Sequence, residues 1–92
     1  MRWFISNPKG VSSQQIKDAK AIVLRKHDKD AVFIEADSEM FDDNKWVLGL
    51  SKSLELLESC EACFFIKGWT KSRRCKYEHA CARELELFIV IQ

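Results

Sequence analysis

The chain has 92 residues, so it can build one hydrophobic core and every proposed site must share it. Hydrophobic residues make up 47% and charged residues 32%, which excludes a disordered or low-complexity chain and fits a single globular domain over residues 1–92. Lys and Arg total 15 against 14 for Asp and Glu, so no global field recruits a nucleic acid polymer or an anionic membrane.

In chain order, the apolar runs Trp3 to Ile5, Ala31 to Ile34, Ala62 to Ile66 and Leu87 to Ile91 are rich in aromatic and β-branched residues and read as buried strands. Helical patterns fill the gaps between them. The first starts at Ser12 with Gln15 three residues on, a capping-box spacing, and puts Ile16, Ala19 and Val23 on one face. The second, from about Asp43, spaces Val47, Leu50, Leu54 and Leu57 at helical intervals. The third, from about Ser72 to Leu85, is expected to turn Tyr77, Cys81 and Leu85 toward the sheet.

Strands alternating with helices predict an α/β fold, a flavodoxin-like or Rossmann-like three-layer sandwich around a four-stranded parallel sheet. With strand order 2-1-3-4, a crevice opens at the carboxyl ends of strands one and three, where connections leave on opposite sides. The loops Ser6 to Gly10 and Lys67 to Ser72 would face it.

No segment is apolar over the length needed to span a bilayer, and MRWFISNPKG lacks the apolar stretch of a secretory signal, so a cytoplasmic location is expected. Cys60, Cys63, Cys75 and Cys81 are then expected to be reduced thiols. Cys60 and Cys63 form a C-x-x-C that runs into a strand and has no second close pair, so no metal site is expected, and no cofactor is implied. His27 and His79 read as surface residues.

Charge is uneven along the chain. Glu35, Asp37, Glu39, Asp42 and Asp43 crowd one stretch, and Lys67, Lys71, Arg73, Arg74 and Lys76 another. The cations fall on the first turns of the third helix, where the helix dipole disfavours them, so a negative partner is required. A phosphate held by helix amides, the Ser72 hydroxyl and an Arg fork satisfies that requirement. A solvated face paired with the acidic stretch or a neighbouring subunit satisfies it equally. Glu78, farther along the helix, is a candidate carboxylate nucleophile facing the crevice; the alternative is an exposed ion pair with Arg74. Asn7, Pro8 and Gly10 suit a tight turn near a ligand, and Trp69 beside Gly68 offers either a stacking surface or packing.

Read together, FISNPKG, Trp46 before a helix, SCEACFFIKGW, SRRCKYEHA and a closing strand resemble the nucleoside 2-deoxyribosyltransferase-like family, in particular its short bacterial and phage members. The resemblance covers nearly the whole chain, and its specific part is Gly68 to Glu78, against a family pattern of P-G-W-x-x-S-x-G-A-x-x-E. It implies that Glu78 is the nucleophile, that Ser72 holds the sugar 5′ end or its phosphate, and that Ser6, Asn7 and Pro8 form the first ligand loop. With Gly68, Trp69, Arg73 and Arg74 as further binding candidates, the implied ligand is a nucleoside or nucleotide. The implied reaction is cleavage or transfer of the N-glycosidic bond of a 2′-deoxynucleoside or its 5′-monophosphate, in a homo-oligomer. Three positions depart from the pattern: Asn7 and Arg74 stand where the family has glycine, and Ser53 stands where active relatives carry an acid. Glu61, Asp37 or a residue of another subunit would then have to supply the acid, and a catalytically silent nucleotide-binding or assembly module is the alternative.

Overall fold

Strand β1 (Arg2–Ser6) carries the fold, because its side chains alternate between two separate cores. The structure, a computed structural model, describes residues 1–35 and 46–92. The remaining elements are α1 (Ser13–Lys26), β2 (Val32–Ile34), α2 (Trp46–Glu58), β3 (Ala62–Phe65), a 3-10 turn (Trp69–Lys71), α3 (Arg73–Glu84) and β4 (Phe88–Ile91). The four strands form one all-parallel sheet in the order β2-β1-β3-β4, as the alternation of strands and helices predicts. Trp3 opposes Ala62 and Ser6 opposes Phe65 in the central pair.

Trp3, Ile5, Ala62, Phe64 and Ile66 point to one face and meet Ala19 and Val23 of α1. Phe4, Cys63 and Phe65 point to the other and meet Leu57 of α2 and Ala82 of α3. The result is the expected three-layer sandwich, α1 on one side of the sheet and α2 with α3 on the other. β1 and β3 are buried at every position after Arg2, but the edge strands are not: Val32, Phe88 and Ile91 are each more than half exposed. An apolar run at a sheet edge is covered on one side only, so the expectation of four buried strands holds for the central pair.

α1 starts where its sequence says it should. Ser12 Oγ accepts from Gln15 N–H at 3.2 Å and Gln15 Oε1 accepts from Ser12 N–H at 2.9 Å, closing the capping box. α2 is described from Trp46 onward, so its expected start near Asp43 lies outside the described residues. Its buried face is Gly49, Ser53 and Leu57, whereas Leu50 and Leu54 are half-buried and Val47 is 72% exposed. Small side chains at Gly49 and Ser53 let α2 lie close against α3, which rotates Val47 outward.

The stripe expected on α3 is also rotated. Cys75, Glu78 and Ala82 are buried; Tyr77 and Leu85 are exposed and Cys81 is half-buried. Hydrophobicity favours Tyr77 and Leu85, but the short side chains of Cys75 and Ala82 bring the helix closer to the sheet, and Glu78 between them has polar partners that make its burial tolerable. The helix ends in a Schellman motif: Leu87 N–H donates to Ala82 C=O and Glu86 N–H to Arg83 C=O, both at 3.0 Å, with Glu86 left-handed at φ 57°. No helix among the described residues is long and apolar enough to cross a membrane.

Candidate functional site

A crevice of about 810 Å³ opens at the carboxyl ends of β1 and β3. Its position follows from the strand order, because the connections after β1 and β3 diverge to opposite faces of the sheet. One wall is the Asn7–Val11 loop with Gln15 and Ile16 of α1; the other is Lys67, Gly68 and the run from Lys71 to Arg74. Trp46, at the start of α2, closes a third side.

Gly68 is left-handed at φ 97° and begins the 3-10 turn, which steers the chain across the crevice wall and into α3. Ser72 is the N-cap of α3; its Oγ accepts from Cys75 N–H at 3.3 Å, which leaves the hydroxyl hydrogen available to a ligand. Lys67, Lys71, Arg73 and Arg74 line the cavity and Lys76 does not, so four of the five sequence-predicted cations converge on one space. Asn7 Oδ1, at the carboxyl end of β1, is buried without a hydrogen-bond partner among the described residues. A buried acceptor left without a donor costs about 1–3 kcal/mol.

Beneath this crevice lies a closed polar cluster. Glu78 is 0% exposed. Its Oε1 accepts from Ser6 Oγ at 2.7 Å and its Oε2 from Arg74 at 3.3 Å. The same guanidinium donates to the Asn7 carbonyl, so Arg74 spans the end of β1 and the carboxylate of α3. Burial pushes the Glu78 carboxyl above its ordinary range, against the Arg74 charge and the Ser6 hydroxyl, which pull it down. Ser53 is fully buried on α2 beside this cluster, yet its hydroxyl donates to the Leu50 carbonyl at 3.0 Å. One hydroxyl hydrogen cannot serve both that carbonyl and Glu78, and the geometry gives it to Leu50.

The sequence-predicted residues therefore divide into two groups. Asn7, Pro8, Gly68, Ser72, Arg73 and Arg74 line the crevice, while Ser6 and Glu78 lie behind it. The ion pair between Arg74 and Glu78 exists, but it is buried rather than exposed. Trp69 does not line the cavity: it packs on Phe65 at 5.2 Å and stacks on His79 at 4.5 Å and 26°. That contact also makes His79 half-buried instead of a surface residue, and burial lowers its pKa. Glu61 is excluded as a neighbour of Glu78, because it binds Arg2 N–H at 3.2 Å at the opposite, amino-terminal end of the sheet. Asp37, Glu39, Asp42 and Asp43 lie outside the described residues; Glu35 pairs with Lys20 at 2.5 Å.

Trp46, like Val11, Gln15 and Ile16, lines the crevice although sequence reasoning gave it no site role. Periodicity places it only one turn before Leu50, and nothing in α2 alone says that α3 brings Arg73 to 4.1 Å from its ring. Comparison with models of known protein families, with curated proteins and with solved structures found no match for the chain.

Proposed function

We propose that the crevice binds a nucleoside or its 5′-monophosphate. The observation that carries this reading is the convergence of Lys67, Lys71, Ser72, Arg73 and Arg74 on one cavity at the carboxyl ends of the central strands. The α3 amides and the Ser72 hydroxyl supply donors for phosphate oxygens, and the arginines add bidentate, charge-assisted ones. The partnerless Asn7 Oδ1 calls for a donor such as a sugar hydroxyl. A volume of about 810 Å³ falls in the range of small-molecule sites.

A second reading, cleavage of the N-glycosidic bond, is favoured by two contacts. Ser6 holds Glu78 through Oε1 and Arg74 holds it through Oε2, a fixed carboxylate directly behind the ligand loop. In that reaction a Glu78 oxygen bonds to the anomeric carbon, the C–N pair leaves on the base, which takes a proton from water, and water or a second base then attacks the anomeric carbon, breaking its bond to Glu78 and returning that pair to the carboxylate. Arg74 must first withdraw, because it stands between the cavity and a carboxylate with no exposed surface. Binding in the crevice does not require access to Glu78, so it is the primary reading.

The test is a panel of 2′-deoxynucleosides and their 5′-monophosphates, with heat of binding measured by titration and free base followed by chromatography. Heat without base release is the expected result. Base release that disappears in Glu78→Gln would establish the cleaving reading in its place, and the absence of heat from every ligand at millimolar concentration would refute both.

A further inference from the structure

The three tryptophans have different surroundings. Trp3 is 1% exposed and belongs to the α1 core, and Trp69 packs against the α2–α3 core. Trp46 is half-buried, packs in neither core, and lines the crevice. Its described partners come from α3: the Arg73 guanidinium lies 4.1 Å from the indole centroid, and the Tyr77 ring meets it edge-on at 5.7 Å and 69°. Arg73 and Tyr77 are one turn apart, so they approach from the same face of α3.

Arg73 is exposed and is the first residue of α3, where the helix dipole repels a cation. Its guanidinium carbon lies over the indole, 4.1 Å from the ring centroid and within cation–π range. Stacking at such an exposed position contributes about 0.5–1 kcal/mol, little enough for a larger planar group to displace it. A nucleobase has that shape and a larger area, and base–aromatic stacking contributes about 1–3 kcal/mol. Lys67, Lys71 and Ser72 line the same cavity and supply the complementary site for phosphate.

We propose that Trp46 is the base platform of the crevice: a nucleobase stacks on the indole in place of the Arg73 guanidinium, and Arg73 turns to the ligand's phosphate. The ligand is thereby specified as a 5′-phosphorylated nucleoside rather than a sugar phosphate. This inference rests on the nucleotide-binding reading of the crevice, and it does not involve Glu78 or require turnover.

The experiment compares dAMP with 2-deoxyribose 5-phosphate, which carries the same sugar phosphate without the base. Binding is measured by calorimetry and by tryptophan fluorescence for the wild type, Trp46→Ala and Trp46→Phe, with circular dichroism confirming the fold of each. The wild type is expected to prefer dAMP roughly tenfold or more and to lose tryptophan emission when dAMP binds. Trp46→Ala should lose that preference while binding the sugar phosphate as the wild type does, and Trp46→Phe should keep part of it. If Trp46→Ala retains the preference, the base lies elsewhere and the platform is refuted while the crevice reading stands. If Trp46→Ala weakens both ligands equally, or fails to fold and Trp46→Phe shows no change in preference, the platform is likewise refuted. If neither ligand binds the wild type, the crevice reading falls and the platform falls with it.

Discussion

Replacing Arg74 with Met removes the positive partner of a carboxylate that has no contact with solvent. The Arg74 and Glu78 side chains are 12% and 0% exposed, and their closest charged atoms are 3.3 Å apart. Breaking a buried pair from one side costs about 3–5 kcal/mol, a large part of a small domain's stability. Glu78 has one route around that cost, which is to take up a proton, since burial already holds its pKa above the ordinary carboxyl range and the Arg74 charge is the largest influence opposing it. A folded state that keeps a proton the unfolded state has released becomes less stable as pH rises, by about 1.4 kcal/mol for each pH unit between the two pKa values. Arg74→Met should therefore lose about 3–5 kcal/mol at pH 7.5 and far less at pH 5.5, as read from urea unfolding. Glu78→Gln should flatten the pH dependence, and the double variant should recover most of the loss. Equal destabilisation at the two pH values, or a double variant as unstable as Arg74→Met alone, would show that the loss comes from packing and the Asn7 carbonyl contact, not from charge.

Two further outcomes follow from single positions. Glu86→Gly should stabilise the chain by about 0.5–1 kcal/mol in the same unfolding assay, because Glu86 holds the left-handed C′ position of α3 at φ 57°, which glycine adopts without strain; no gain would refute strain at that turn. Cys63 is fully buried in β3 and burial raises its thiol pKa, so iodoacetamide should modify half-buried Cys81 first and reach Cys63 only through unfolding; mass spectrometry showing equal rates would contradict the packing of β3.

The sheet was legible because its signal is carried by the residues that make it. The runs around Phe4 and Phe64 are apolar at every position, as strands covered on both faces must be, and Ser12 with Gln15 announces the start of α1. The helix faces were less legible. The apolar side chains expected inside, Val47 of α2, Tyr77 of α3 and Leu85 at its end, are exposed, and the buried stripes carry small or polar residues, Gly49, Ser53, Cys75, Glu78 and Ala82, beside Leu57. Hydrophobicity cannot report a face whose role is to let two helices approach. The pairing of Ser6 with Glu78 spans 72 positions, so it exists only once β1 and α3 are packed together. Of the tryptophans the sequence offered Trp69 for stacking and not Trp46, whereas in the fold the first packs on His79 and the second lies at the crevice beside Arg73.

Arg74 belongs to both parts of the site, lining the crevice on one side and holding Glu78 on the other. An anion in the crevice and the Glu78 carboxylate therefore compete for one guanidinium. A bare nucleoside brings no charge to that competition and leaves Arg74 where it is. A 5′-monophosphate carries about −1.5 to −2 near pH 7 and offers three acceptor oxygens, against the single charge of a carboxylate that burial already disfavours. The ligand able to draw Arg74 away from Glu78 is thus the phosphorylated one, and drawing it away raises the carboxyl's pKa further because its main compensating charge is gone. Reaching Glu78 therefore costs the carboxylate its Arg74 partner, a cost that a ligand confined to the crevice does not incur.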